Sequence, residues 1–267
     1  MVNYLPLAAF IAIVGFVLFR AIYLRCGQVW MRVALAATAV VLSVPAVLFL
    51  CNYMWEVPSG AWFFSFHSLS AIEASSGLVG ALLGVMFARA KLHPHRLNLP
   101  VLVASLVVGI ILLLVPFGKQ LLYTKVEYSG LKDVWKDGVC KQTSGTTCMP
   151  ASFATVVRLI GGNITEQELA REAGTNSGGT EVWYLIRVLR RHGYEVDIRT
   201  AKSLKNASAP AVIGLGIMGH VVVLISESEL GPEIGDPIGY RKKYTWKDFE
   251  EGYEPKPVYF VVRKYYN

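Results

Sequence analysis

Gln142 stands six positions before Cys148 in the run Gln142-Thr-Ser-Gly-Thr-Thr-Cys148-Met-Pro150. Far downstream come Gly219-His220-Val-Val-Val and then Gly235-Asp236-Pro237. These four residue types, in this order, can build a cysteine nucleophile. A thiol attacks well only as thiolate, and a helix amino terminus beside a histidine favours that form. Cys148 opens a predicted helix, and His220 stands at the head of an apolar strand, a rigid mount for its ring. Asp236 follows in a turn and is placed to accept from the ring's other nitrogen, which would hold tautomer and orientation. Gln142 is close enough in sequence for its amide to join the Cys148 backbone N–H in stabilising a developing oxyanion. Each member alone has an ordinary explanation: a cysteine at a helix start is a small buried residue, and Asp-Pro is common loop chemistry. Only the ordered set carries the inference.

Other chemistries find less support. Cys140 and Cys148 are spaced too widely for a zinc knuckle, no second cysteine pair follows, and His93-Pro-His95 stands alone, so no metal site is expected. His192, in Arg-Arg-His192-Gly, reads as a helix-end residue favourable to the dipole. No glycine-rich phosphate loop or Walker-type lysine occurs, so neither a cofactor nor a nucleotide is expected. The net charge of +7 comes without a polybasic tail, which argues against nucleic acid.

The elements that would position this set lie in the second half. Phe153, Val156, Val157 and Ile160 share one face of a predicted helix from Cys148 to Ile160, with Pro150 in its first turn. Thr165-Glu-Gln-Glu168 is a capping box ahead of a short helix through Ala173. Val182, Leu185, Ile186 and Leu189 line a third helix over Glu181–His192, stopped by Gly193. The pattern then changes to strands at Tyr194–Thr200, Ala211–Leu215, Val221–Ser226 and Val258–Arg263, with a further short strand over Arg241–Tyr244 before a turn or helix at Trp246–Glu251. Helices first and strands after imply an α+β domain with an antiparallel sheet.

The first half is of another kind. Leu5–Leu24, Val33–Phe49, Ala71–Ala88 and Leu99–Phe117 approach the ~20 apolar residues that span a bilayer, giving an all-α transmembrane region of about four helices. The first run lacks the basic start and cleavage site of a signal peptide. In the third, Gly77, Gly80 and Gly84 provide small-residue spacing suited to close helix packing, while Glu73 reads as a near-interface acid. Arg20, Arg25 and Arg32 flank the first connection and Arg89, Lys91 and Arg96 the third, whereas the second, Cys51–Ser70, has no lysine or arginine. Both basic connections are therefore expected in the cytoplasm, leaving the carboxy-terminal domain extracytoplasmic. The second connection, with Trp55, Trp62, Phe63, Phe64 and Phe66, suits an interfacial belt or a short amphipathic helix. The cysteines form no disulfide framework: Cys26 and Cys51 sit at membrane helix ends, and Cys140 is spare.

From about Val139 onward the chain resembles the papain-like bacteriocin-processing peptidases that remove double-glycine leaders. The likeness rests on Gln142…Cys148-Met-Pro-Ala-Ser, Leu159-Ile-Gly161, Thr165-Glu-Gln-Glu-Leu169-Ala170, Gly179-Thr180, Leu189 to Gly193-Tyr194, Gly219-His220-Val-Val-Val and Gly235-Asp236-Pro237. It implies that Cys148 is nucleophile, His220 general base, Asp236 orienting acid and Gln142 oxyanion donor. Two departures stand out: Met149 replaces the glycine usual after the nucleophile, and the chain carries neither a transporter core nor a nucleotide-binding domain. The expectation is a membrane-anchored cysteine peptidase, with a transmembrane region over 1–118 and a papain-like α+β domain over 119–267. Its partners would be a peptide or protein substrate and the lipid bilayer. An acyltransferase or transglutaminase-like enzyme on the same fold, or a non-catalytic peptide-binding module, stands as the alternative.

Overall fold

The computed structural model describes residues 3–57, 60–93, 99–201, 203–216, 219–253 and 255–265. His95 and Arg96 lie outside the described residues. The chain divides into two compact units, one of Val2–Ser59 with Ala71–Leu121, the other of Gly60–Ser70 with Leu122–Asn267.

The first unit is helical: α1 (Leu5–Arg25), α2 (Val29–Leu42), α3 (Val44–Trp55), a 3-10 segment Ile72–Leu78 running into α5 (Val79–Leu92), α6 (Leu99–Leu114) and α7 (Gly118–Leu122), α4 belonging to the other unit. Among the described residues, four stretches are long and apolar enough to cross a membrane: Leu5–Arg25, Val29–Trp55, Ile72–Leu92 and Leu99–Leu122. The second is longer than the expected Val33–Phe49, and it is broken at Ser43, just ahead of Pro45. A proline there removes a backbone donor and crowds the preceding turn. The glycines of the third stretch do pack closely. A Cβ on Gly77, Gly80 or Gly84 would fall on the α1 carbonyls of Ala8, Ala12 and Phe16, so only glycine lets the two backbones approach this far. Glu73, at the start of the third stretch, is buried within this unit.

The second unit is the expected α+β domain. It contains α4 (Ala61–His67), the hairpin β1 (Val134–Lys136) and β2 (Val139–Lys141), helices α8 (Cys148–Leu159), α9 (Glu166–Ala173) and α10 (Val182–Arg191), then β3 (Tyr194–Thr200), β4 (Ala211–Leu215), β5 (Val221–Glu227), β6 (Pro232–Asp236), β7 (Tyr240–Lys243), α11 (Trp246–Tyr253) and β8 (Pro255–Lys264). The large sheet is antiparallel throughout, in the order β3-β8-β4-β5-β6-β7. Ile213, Val222, Leu224 and Val261 of the central strands pack with Trp246 and Phe249 of α11 in one core cluster. On the helical side α8 is tied to the sheet by the Ser152 hydroxyl, which donates to the Val221 carbonyl at 3.2 Å.

Local chemistry explains the boundaries. Asp137 and Gly138 both take positive φ (50° and 78°), the conformation of the tight turns that suit a two-residue hairpin. At α9 both halves of the capping box form, Thr165 accepting from the Glu168 N–H and Glu168 from the Thr165 N–H. The aromatic connection forms α4, and it belongs to the domain that carries the candidate site. Phe63 and His67 are buried, His67 stacks on Trp183 of α10 with centroids 3.9 Å apart, and Phe64 meets Phe260 of β8 edge-on at 5.8 Å. Arg187 and Arg190 of α10 donate to the carbonyls of His67 and Ser68 that end the helix. Burial, and after it the Arg187 charge, push the His67 ring down to about 3, so it packs as a neutral aromatic.

Candidate active site

The sulfur-bearing residue is held by a tightly bonded loop. Cys148 is the first residue of α8, half-buried, and the chain reaches it through Gln142–Thr147. The Ser144 N–H donates to Thr147 Oγ1 at 3.1 Å, and Thr147 Oγ1 donates back to the Ser144 carbonyl at 3.0 Å. Thr143 donates to Glu166 twice, from its N–H at 2.9 Å and its hydroxyl at 2.8 Å. Glu166 is fully buried at the start of α9. Burial holds its carboxyl above the usual range, opposed by the hydrogen bonds from Thr147 and Thr143.

The histidine sits where two strands open. Gly219 takes φ of 65°, a left-handed conformation natural for glycine, immediately before His220. The Leu215 N–H donates to the His220 carbonyl at 2.8 Å, closing the β4–β5 connection just before β5 begins. Asp236 ends β6, paired beside β5, so the carboxylate faces the histidine across adjacent strands. The strand β6 was not anticipated: Gly231-Pro232-Glu233-Ile234-Gly235-Asp236 reads as a loop, and its strand character comes from pairing with β5 and β7. Asp236 is therefore the last strand residue rather than a turn residue, with the turn following it.

The contacts among these groups are specific. His220 Nε2 meets Asp236 Oδ1 at 2.8 Å, and the Ile238 N–H donates to the same oxygen at 2.9 Å. Asp236 is 1 % exposed. Burial pushes its carboxyl up, but the hydrogen bonds from His220 and the Ile238 N–H outweigh it and leave the group below its ordinary value. With Nε2 engaged, Nδ1 is the ring nitrogen that remains for the sulfur. Hydrogen bonding to Asp236 and then to Cys148 raises the His220 ring to about 9, against a smaller opposing effect of burial. His220 is thus bonded to Asp236 and placed under the influence of Cys148.

Gln142 belongs to the same cluster through its backbone. Its N–H donates to the Pro237 carbonyl at 2.7 Å, fastening the loop before Cys148 to the turn after Asp236. Its side-chain Nε2 donates to the Ser144 carbonyl at 3.2 Å, while Oε1 is buried without a hydrogen-bond partner. A carboxamide nitrogen has two N–H groups, so one remains for another acceptor. The buried, unsatisfied oxygen is a cost that ordinary packing would have selected against.

The rest of the site was not visible in the sequence. Glu166 lies 23 residues from its partner Thr143, and its position inside a capping box offers only a helix-start reading. Tyr240, on β7, hydrogen-bonds to Tyr253 at 3.1 Å, and burial first, with that bond and the Asp236 charge after it, pushes its phenol far up. Cys140 is buried, and burial first, with the Glu166 and Asp133 charges after it, pushes its thiol far up, the opposite of a reactive cysteine. All four cysteines are free. Among the described residues, no group of three His, Cys, Asp or Glu side chains is arranged to hold a metal ion.

The sequence profile of the Peptidase C39 family matches residues 136–264. An uncharacterised protein of Methanothermobacter marburgensis is 32 % identical over 100 residues, which cover 37 % of this chain and 70 % of that protein. Among solved structures, the peptidase domain of Streptococcus ComA, a bi-functional ABC transporter involved in a quorum sensing pathway, aligns with a TM-score of 0.43 at 18 % identity. That alignment covers 47 % of this chain and 97 % of the domain. A double glycine motif protease from an AMS/PCAT transporter, solved with its leader peptide, aligns with a TM-score of 0.41 at 20 % identity, covering 47 % and 90 %.

Proposed function

Because the chain belongs to the Peptidase C39 family, we propose that it is a membrane-anchored cysteine peptidase acting through Cys148, His220 and Asp236. The carrying observation is the His220 ring, bonded to Asp236 at 2.8 Å and raised to about 9 by Asp236 and Cys148 together. At neutral pH such a ring is protonated, and an imidazolium beside a cysteine at a helix start favours the thiolate. The Cys148 sulfur attacks the peptide carbonyl carbon, and the carbonyl electron pair moves to oxygen. The oxyanion is met by the Cys148 N–H and the remaining N–H of Gln142. Collapse breaks the C–N bond, and the imidazolium gives its proton to the departing amine. Water, deprotonated by the now neutral ring, then cleaves the thioester to a free acid and restores the sulfur.

Position in the membrane follows from two separate lines. Helix α4 and the 122–267 segment form one compact unit, so both belong on the same side of a bilayer. That requires an even number of crossings between them, and Ile72–Leu92 with Leu99–Leu122 supply two. The clustering of basic residues in the first and third connections favours the extracytoplasmic side for this unit. The substrate is then a secreted or membrane-exposed peptide.

The test is cleavage by the full chain in detergent micelles, with products identified by mass. Hydrolysis predicts a free carboxylate that disappears in Cys148→Ala. An amine adduct in place of the acid would assign acyl transfer instead, and undiminished cleavage by Cys148→Ala would remove Cys148 from the chemistry.

A further inference from the structure

Against His220 and Met149, the residue that follows Cys148, lies a pocket of about 180 Å³, walled also by Phe64, Trp183, Leu215 and Phe260. It is smaller than the roughly 300–1,000 Å³ sites that enclose whole small-molecule ligands. It has room for one large side chain. Two of its walls, Met149 and His220, come from the reactive centre itself, so a peptide bound for attack at Cys148 runs past its mouth. Glu181 and Lys256 also line it. The remaining wall is aromatic and aliphatic, a surrounding that favours an apolar side chain.

One wall does not come from the sheet or from α8–α10. Phe64 is carried by α4, which in sequence lies between two membrane-spanning stretches. The helix is fixed in place: Phe64 is edge-on to Phe260, His67 is stacked on Trp183, and Arg187 and Arg190 hold its terminal carbonyls. Phe64 and Trp183, both lining the pocket, are thus placed by the same docking contact.

We propose that this pocket receives one apolar side chain of the peptide substrate beside the scissile bond, and that α4 sets its size through Phe64. The inference rests on the peptidase reading and adds to it a substrate class: peptides with a large aliphatic residue at the position that enters the pocket. It makes the membrane region's own connection a specificity element of the soluble domain. Met149, in place of a glycine after the nucleophile, contributes to the same wall, so its side chain forms the pocket rather than obstructing the cleft.

The experiment uses the full chain in lipid nanodiscs, a peptide mixture randomised around the cleaved bond, and mass spectrometric ranking of products. Phe64→Ala opens the pocket and Gly214→Ala narrows it. A Cβ at Gly214 would sit 3.6 Å from Lys256 Cδ, an ordinary contact, so the added methyl fits without strain beside another lining residue. A change of one or two methylenes in an apolar pocket is worth about 10- to 200-fold in discrimination. The expected result is therefore a shift of at least about tenfold toward aromatic residues in Phe64→Ala, and toward alanine or valine in Gly214→Ala. Loss of folding cannot mimic shifts of opposite sign, and Gly214→Ala alone decides if Phe64→Ala does not fold. An active wild type whose side-chain preference is unchanged in both variants overturns the pocket assignment and leaves the peptidase reading standing. A wild type that cleaves no peptide, with Cys148 no more reactive to iodoacetamide than the other cysteines, overturns the peptidase reading and the pocket with it.

Discussion

Replacing Asp236 by asparagine separates charge from orientation. The His220 ring is raised from 6.5 to about 9, on the order of 3 kcal/mol in favour of the imidazolium. Asp236 is the larger contributor and Cys148 the second. An asparagine keeps an oxygen for His220 Nε2 and the Ile238 N–H, the two bonds of 2.8 and 2.9 Å, but not the negative charge. In the wild type kcat/KM should fall on the alkaline side near pH 9, as the proton needed by the leaving amine is lost. In Asp236→Asn this limb should move down by at least about one unit, with kcat/KM falling about twofold at pH 8 and approaching a tenfold loss near pH 10. Asp236→Ala also loses the orienting bonds and should fall further, by a factor on the order of 10²–10⁴. Stability gives a second readout. A raised folded-state value means that protonation favours the folded chain, so this contribution is full below pH 6.5 and disappears as the pH rises through about 9. The wild-type melting temperature should decline over that window and the Asp236→Asn decline should be shallower. The experiment is a pH series of peptide cleavage and thermal melts on the full chain in one detergent. An alkaline limb that stays at its wild-type position in Asp236→Asn would refute the coupling.

Other perturbations address the surrounding parts. Gln142→Ala should lower kcat by about 10²- to 10³-fold, the usual loss for one oxyanion donor, measured in steady-state cleavage. Its melting temperature should not fall, because a buried carbonyl oxygen without a partner is removed with the amide. Glu166→Ala leaves the Thr143 N–H and hydroxyl without their acceptor. It should cost about 1–3 kcal/mol and reduce kcat more than it raises KM, read from thermal melts and kinetics together. In the helical unit, Gly80→Ala would put a methyl on the Ala12 carbonyl, so the detergent-solubilised chain should melt at lower temperature. Cleavage rates below the melt should be retained.

The helices of the α+β domain were legible because their signals are local. The apolar spacing of Phe153, Val156 and Val157, the capping box at Thr165 and Glu168, and the glycine after His192 depend on residues within one or two turns. The strands β3 and β4 likewise matched their expected limits, Tyr194–Thr200 and Ala211–Leu215, because their β-branched and apolar residues are buried by neighbouring strands. What remained hidden depends on distant partners. The strand β6 has a proline, a glycine and two acids, and only its registry with β5 and β7 makes it a strand. The role of α4 was hidden for the same reason: an aromatic cluster between membrane helices looks alike whether it meets lipid headgroups or Trp183 and Phe260. Of the candidate site, Cys148, His220, Asp236 and Gln142 were proposed from their order and context. Glu166, Tyr240 and Phe64 were not, because each acts across the fold and none sits in a motif.

The central claim is that Cys148 and His220 form a reactive pair, and thiol reactivity tests it without knowledge of the substrate. The full chain in detergent at neutral pH is exposed to limiting iodoacetamide, and alkylation at Cys26, Cys51, Cys140 and Cys148 is followed by peptide mass mapping. Cys148 should react at least about tenfold faster than Cys140, whose buried thiol is pushed far up, and His220→Ala should remove most of this advantage. Equal labelling of the four cysteines, or an unchanged Cys148 rate in His220→Ala, would contradict it.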